Sequence, residues 1–485
     1  MSVVVLSRAA RYGGPRRTRD ADTRVSRTGV LAIGFWLALA GCAPSARPAD
    51  VPGATVVAIT DVSVVDVERG RLLADQTVVI RDGRIVALGA AASVPVPADA
   101  DVVDGTDRFL TPGFADMHVH LYTEGDLLTY VANGVTTVRN MAGDSTHLAM
   151  RRRVAAGLVV GPRIVTAGPV VEAAPLSHPD NALLEDPARA RAELARQRAA
   201  GYDFVKVYNH LARPVYDSVV AAAEGLGMSV AGHVPLSVGL DGALAARQRS
   251  IEHLRGYVRE LLPDAPPAAS DTSFRDWSVA WNRIDTTRIA PLVARTVAAG
   301  VWNCPTFAFT VHELSPAAEH ARLLARPELR YLSLQGLPAD RATTSYLRQF
   351  TDADFAATQR GLAGQFALLR ALDAAGAGLL VGTDSWLSGY AYADELELLA
   401  RAGLAPARVL RMATVDAARF LGEPAEWGSV AVGRRADLVL LDGDPLVDIA
   451  NARRVRAVVA GGRLLRREDL DRMLEALPTT RERRE

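Results

Sequence analysis

Thr111-Pro-Gly-Phe-Ala-Asp-Met-His118-Val-His120-Leu121 is an apolar run opened by Pro112 and Gly113 and closed by two histidines one residue apart. Such a run reads as a buried strand. Strand side chains alternate faces, so His118 and His120 project to the same side. Two imidazoles so placed can grip one metal ion, with nitrogens about 2.0–2.1 Å from a zinc. A His-x-His pair alone is as often a pair of strand histidines without a ligand. Its weight comes from Lys206, His233, His253 and Asp384 downstream, each at the end of its own apolar run.

Further apolar runs end near Asn140, Gly168, Tyr208, His233, His253, Thr306 and Asp384, and amphipathic stretches such as 187–200 and 215–226 separate them. Eight strands alternating with helices predict an α/β fold, a (β/α)8 TIM-type barrel, over residues 112–427. The stretch 406–421 reads as its last helix. Two connections, 255–289 and 307–366, are too long for simple crossovers and read as lids or extra helices. Residues 54–111 carry short alternating strands separated by turns such as Arg81-Asp82-Gly83. The same texture returns at 428–470, with strands expected at 428–433, 436–441 and 455–462. The two ends therefore predict one small composite β-sandwich, followed by a tail at 471–485.

The first residues differ in kind. An Arg-rich stretch precedes the apolar run Val30–Ala40, too short to span a bilayer but suited to a signal-peptide core. It ends in Leu39-Ala40-Gly41-Cys42, similar to a bacterial lipoprotein cleavage box, so residues 1–42 read as a signal peptide with Cys42 as the lipidated residue. Pro- and Ala-rich 43–53 reads as a tether. The expected address is the bacterial cell envelope, a periplasm-facing lipoprotein with the outer membrane weakly favoured. Of two cysteines, Cys304 is then left without a disulfide partner and reads as a packing residue. With 55 basic and 55 acidic residues the formal net charge is zero, which gives no electrostatic reason to expect nucleic acid.

Strand ends of a barrel converge on one mouth, so the separated residues belong to one site. Lys206, in Tyr202-Asp-Phe-Val-Lys-Val-Tyr208, would be an uncompensated buried charge unless neutralised, paired or modified. A carbamate formed with carbon dioxide would make it an anion able to bridge two cations. Asp384 closes Gly378-Leu-Leu-Val-Gly-Thr-Asp, where a carboxylate can bind metal or take a proton; capping the next helix is the plainer alternative. Glu252 would point away from His253 along a regular strand and reads as structural. Arg139, His178, Tyr208 and Tyr257 are the polar residues near the mouth that could hold substrate, or else form its rim.

As a set, Pro112–His120, Gly134-Val-Thr-Thr-Val-Arg139, Val205-Lys-Val-Tyr208, Gly232-His233, Ile251-Glu-His253-Leu, Gly382-Thr-Asp384 and Gly433-Arg-Arg-Ala-Asp-Leu-Val-Leu resemble the amidohydrolase superfamily. The nearest branch is the imidazolonepropionase-related one, with its Xaa-Pro dipeptidases. The resemblance implies two zinc ions, or other divalent metals, bridged by carbamylated Lys206. His118, His120 and Asp384 would hold the buried ion and His233 and His253 the outer one, with Asp384 as catalytic acid–base. It implies hydrolysis of an amide or peptide bond in a small molecule or dipeptide by metal-activated water. Asn140 stands where some relatives carry an acid, which leaves substrate choice open.

Other readings are a one-metal cyclic amidohydrolase or deaminase, and a non-catalytic metal- or ligand-binding lipoprotein. The second has no use for a proton acceptor beside an open coordination position. A homo-oligomer is compatible with the sequence. The N-terminal reading predicts that Cys42→Ser abolishes lipid labelling and releases the protein from membranes. Mass spectrometry that finds an unmodified Cys42 in the mature wild-type protein contradicts it.

Overall fold

A computed structural model describes residues 56–263, 273–333 and 347–478. The expected signal peptide, Cys42 and the tether lie outside them. Among the described residues no helix is long and apolar enough to cross a membrane.

The barrel forms as the alternation predicts. Its first seven strands are Phe114–Val119, Val135–Asn140, Arg163–Thr166, Phe204–Val207, Ser229–Gly232, Ser250–Glu252 and Trp302–Cys304. Each pairs in parallel with the next, the third reaching the fourth through a bridge between Ala167 and Phe204. An extended run at 379–384 is the eighth. It bridges Asn303 through Leu379, and it closes the ring where Met117 N–H donates to the Val381 carbonyl and Asp384 N–H to the His118 carbonyl, both at 2.8 Å. His118 and Asp384, far apart in sequence, are thereby backbone partners.

The β-rich ends come together, as expected, in one composite β domain built by both termini. They form one eight-stranded sheet, ordered Arg463–Arg466, Val455–Ala460, Leu438–Leu441, Phe109–Pro112, Val56–Asp66, Arg71–Arg81 and Arg84–Ala90. Asp101–Asp104 runs beside the first half of Val56–Asp66. That long strand is irregular between Ile59 and Val64, and such bulges bend a strand. The sheet curls over its own core of Val57, Ile59, Val62, Ile80, Leu438 and Val459. Residues 428–433 form turns rather than a strand. Arg434 and Ala436 instead hydrogen-bond the edge at Gly83 and Ile85. The expected tail begins with a helix, Arg467–Glu475, which buries Leu470 and Leu474 and donates from Arg467 to the Ala132 carbonyl of the first barrel helix.

Both long connections carry helices. The first holds Tyr257–Leu261 and Phe274–Ala280; the second holds Phe307–Glu313 and Ala317–Leu324 and leads into the long helix Asp352–Ala374. Thr351 caps that helix, whose start precedes the expected position near 366 because Asp354 completes a capping box. The last barrel helix spans Pro406–Phe420, with a π-helical turn at Met412–Asp416.

Packing at the barrel mouth leaves no room at Gly382. A methyl group there would lie 2.4 Å from Cys304 Sγ and 2.8 Å from both His118 Cβ and its backbone nitrogen. Gly382→Ala is predicted to destabilise the protein by about 1–3 kcal/mol, the usual cost of overpacking. Chemical denaturation checks this; an unchanged midpoint would show that the barrel seam yields there.

Candidate metal centre

Five side chains from four strand ends meet at the barrel mouth. His118 is fully buried, whereas His120, just past the end of its strand, keeps about a third of its side chain exposed (37%). Their rings lie 5.7 Å apart, as alternation predicts. His253 lies 4.7 Å from His118, and His233 lies 4.9 Å from His253, ring centre to ring centre. Asp384 sits among them, with Oδ1 3.2 Å from His120 Nε2 and 3.6 Å from His118 Nε2, and Oδ2 3.5 Å from His253 Nε2. Single ligand atoms of His118, His253 and Asp384 all lie within 4.8 Å of one another.

Three of the imidazoles are oriented from behind. His118 Nδ1 meets Glu252 Oε2 at 2.9 Å, His233 Nδ1 meets Asn209 Oδ1 at 2.7 Å, and His253 Nδ1 meets Thr306 Oγ1 at 2.6 Å. An oxygen partner on one ring nitrogen fixes the tautomer and frees the other nitrogen as a ligand, the arrangement metal-binding histidines use. The buried His118 Nε2 has no hydrogen-bond partner, an expensive state unless something else binds it. Tyr208 stacks on His233 at 4.1 Å and holds its ring plane.

Electrostatics fit the same assignment. Burial pushes His118 and His233 well below the usual imidazole range and His253 down to about 3, so all three are neutral at physiological pH. For Asp384, burial favours the acid form, but His118, His120 and His253 outweigh it and hold the carboxyl well below its ordinary range. Neutral imidazoles and an ionised carboxylate are the forms that bind metal. Lys206 is buried on the fourth strand, its side chain lying against Gly232, where a Cβ would come within 2.9 Å of Lys206 Cδ. Burial lowers its pKa to about 8, against the opposing pull of Glu252 and Asp384. The donor set therefore fits a divalent metal ion.

The residues expected to hold substrate separate. Tyr208 is at the site. Arg139 is not at the mouth: it is buried inside the barrel, donating to the Met117 carbonyl at 2.6 Å, to Ser250 Oγ at 2.9 Å and to both Glu252 oxygens at 2.9 and 3.0 Å. Its guanidinium also lies over the Phe420 ring. Every one of these bonds is internal, so the side chain turns away from a ligand at the mouth. Tyr257 is buried on the helix after the sixth strand, where its hydroxyl pairs with Thr296 at 2.9 Å. His178 lies on an exposed loop beside Asp180. Glu252, read as structural, is the backing partner of His118. Ser250 and Glu252 share a strand face, and a carboxylate on a buried strand facing a buried Arg139 was the available signal.

A ring of imidazoles around an ionised aspartate, at the C-terminal mouth of a (β/α)8 barrel, defines a candidate metal-dependent enzyme. The model of the Amidohydrolase family matches residues 109–465, and the chain belongs to that family. An imidazolonepropionase from Micrococcus luteus is 37% identical over 117 residues, covering 21% of this chain and 28% of that protein. The chain thus spans about a quarter of the length of the first curated relatives it matches. Among solved structures, a bottromycin amidohydrolase is 28% identical with a TM-score of 0.67, covering 88% of this chain and 91% of its own. A Xaa-Pro dipeptidase with methionine bound in its active site shares the fold at 20% identity, with a TM-score of 0.63, covering 85% of this chain and all of its own (100%).

Glu252→Gln keeps the shape but leaves Arg139 without its anion. It is predicted to weaken metal binding about 10–100-fold, as loss of an outer partner does. Competition with a chelator measures this, and an unchanged affinity would remove Glu252 from the metal centre.

Proposed function

We propose that the protein is a metal-dependent hydrolase that cleaves an amide bond by attack of water, with short dipeptides, Xaa-Pro among them, as its substrate class. The observation that carries the reading is Asp384, ionised among three imidazoles whose Nε2 atoms face it. His118, His120 and Asp384 would hold an inner ion, and His233 and His253 an outer one, with carbamylated Lys206 between them. Bound divalent metal supplies Lewis acidity, acidifying water and polarising the scissile carbonyl.

The chain's own groups do the rest. Asp384 takes the proton of the attacking water and returns it to the leaving amine. His118, His233 and His253 are neutral through burial, the form in which they would serve as metal ligands rather than carry protons. Tyr208 stands at the edge of the site with its hydroxyl protonated, since burial raises its pKa to about 12, and can donate to a substrate oxygen. In the same proposal, lipidation of Cys42 puts this activity at the bacterial cell envelope.

A one-ion reading, with Lys206 unmodified, is favoured by the close grouping of His118, His253 and Asp384 alone. Elemental analysis separates the two: two bound ions per chain, reduced in Lys206→Ala, support the bridged site, and one ion in fully active protein supports the other. Asp384→Asn keeps the side chain's size but cannot take a proton. Its kcat is predicted to fall by about 10²–10⁴-fold, the usual range for general acid–base help. Near-normal turnover in that variant removes Asp384 from the mechanism. A panel of free dipeptides tests the substrate class; turnover of lactams or N-acyl amino acids alone would leave only the wider hydrolase reading.

A further inference from the structure

Asp384 holds a left-handed backbone conformation, φ +46°, which a non-glycine residue keeps only when its surroundings fix it. Its two neighbours show what does so. On one side, Thr383 donates from its backbone to Asp116 Oδ1 at 3.0 Å and from its hydroxyl to Asp116 Oδ2 at 2.7 Å. On the other, Ser385 Oγ lies 2.9 Å from Nδ1 of His312, whose Nε2 lies 3.1 Å from Asp394 Oδ2. Ser385 and His312 are both buried, at 5% and 2% exposure.

Donors and acceptors along this second chain assign themselves. Asp394 accepts, so His312 Nε2 carries the proton and Nδ1 accepts from the Ser385 hydroxyl, whose oxygen in turn accepts from Leu387 N–H at 3.3 Å. Asp394 is fixed from two further parts of the molecule. Arg326, beyond the inserted helix Ala317–Leu324, donates to it at 2.9 Å, and Arg453 of the C-terminal β-layer also bonds it. Serine, histidine and aspartate in this order invite a nucleophilic reading, but Ser385 is buried and its hydroxyl is spent on His312.

The helix Ala391–Arg401 carries Asp394 and also the adjacent Glu395, whose Oε2 accepts from Ala308 N–H at 2.5 Å. That bond holds the first turn of Phe307–Glu313, the helix bearing His312. Thr306, just before the same helix, is the partner of His253. Two neighbouring acids on one helix therefore clamp the segment that touches both sides of the metal centre.

We propose that His312 is a positioning residue for Asp384: through Ser385 it locks the left-handed turn that presents the carboxylate to the imidazoles. The proposal rests on Asp384 as the proton acceptor, and its test keeps the two claims apart. Ser385→Ala, His312→Ala and His312→Gln are compared with wild type in the full chain. Three quantities are read: kcat and KM on a dipeptide the wild type cleaves, the visible spectrum of cobalt(II)-loaded protein, and the melting temperature. Displacement of a reacting group by about 1 Å costs roughly 10²-fold, so both alanine variants should lose about that much in kcat while KM stays near wild type. Their cobalt bands should shift, because Asp384 is displaced as a ligand. His312→Gln, whose amide can donate to Asp394 and accept from Ser385, should restore most of the activity and the wild-type bands.

Wild-type kcat and wild-type spectra in both alanine variants overturn the proposal. So does a loss that follows the melting temperature alone and is not rescued by glutamine. If wild type cleaves no amide, the functional reading fails while the spectra still decide: shifted bands in Ser385→Ala support the positioning role, and unchanged bands reject it.

Discussion

Glu252 carries its carboxylate into the interior of the barrel, where it meets the Arg139 guanidinium through both oxygens and His118 through Nδ1. None of the three side chains reaches solvent to any extent. Removing one partner of such a buried pair costs about 3–5 kcal/mol, because the other is left charged without compensation. The three residues come from the sixth, second and first strands. This ion pair therefore fixes the relative position of those strands and the tautomer of His118 together. With Nδ1 committed to Glu252, Nε2 is left facing Asp384.

The mouth adds orientation through strained backbone. His253, Thr306 and Asp384 all have positive φ, +59°, +54° and +46°, each at the end of a barrel strand. Non-glycine residues in that region cost of order 1–3 kcal/mol each and persist where tertiary contacts over-determine them. Here those contacts are visible: Thr306 bonds His253, Asp116 holds Thr383, and His312 holds Ser385. Strain and hydrogen bonding together turn three side chains from the strand direction into one shared space.

The barrel and the residues gathered at its mouth were legible because both depend on short-range pattern. Alternation put His118 and His120 on one face, and apolar runs ending in His233, His253 and Asp384 marked strand ends. The supporting residues were illegible for a related reason. Whether Arg139 faces the mouth or the interior turns on strand tilt and on a partner 113 residues away, which no local pattern reveals. Glu252 looked misdirected because His253 leaves the regular strand through its positive φ, so parity along the run breaks between them. The composite β-layer was legible in the strand texture at both ends, whereas the irregularity near Val62 within Val56–Asp66 was not. His312 gave no signal at all, since its meaning lies in Ser385 and Asp394, which come from other segments.

The central claim is that the inward-facing nitrogens and Asp384 exist to hold metal. Crystals of protein grown with zinc, with anomalous differences recorded across the zinc absorption edge, test it most directly. The account predicts zinc density with His Nε2 atoms about 2.0–2.1 Å away and Asp384 Oδ in the same shell. An ordered mouth with these imidazoles in place, and no anomalous density among them at saturating zinc, would contradict it.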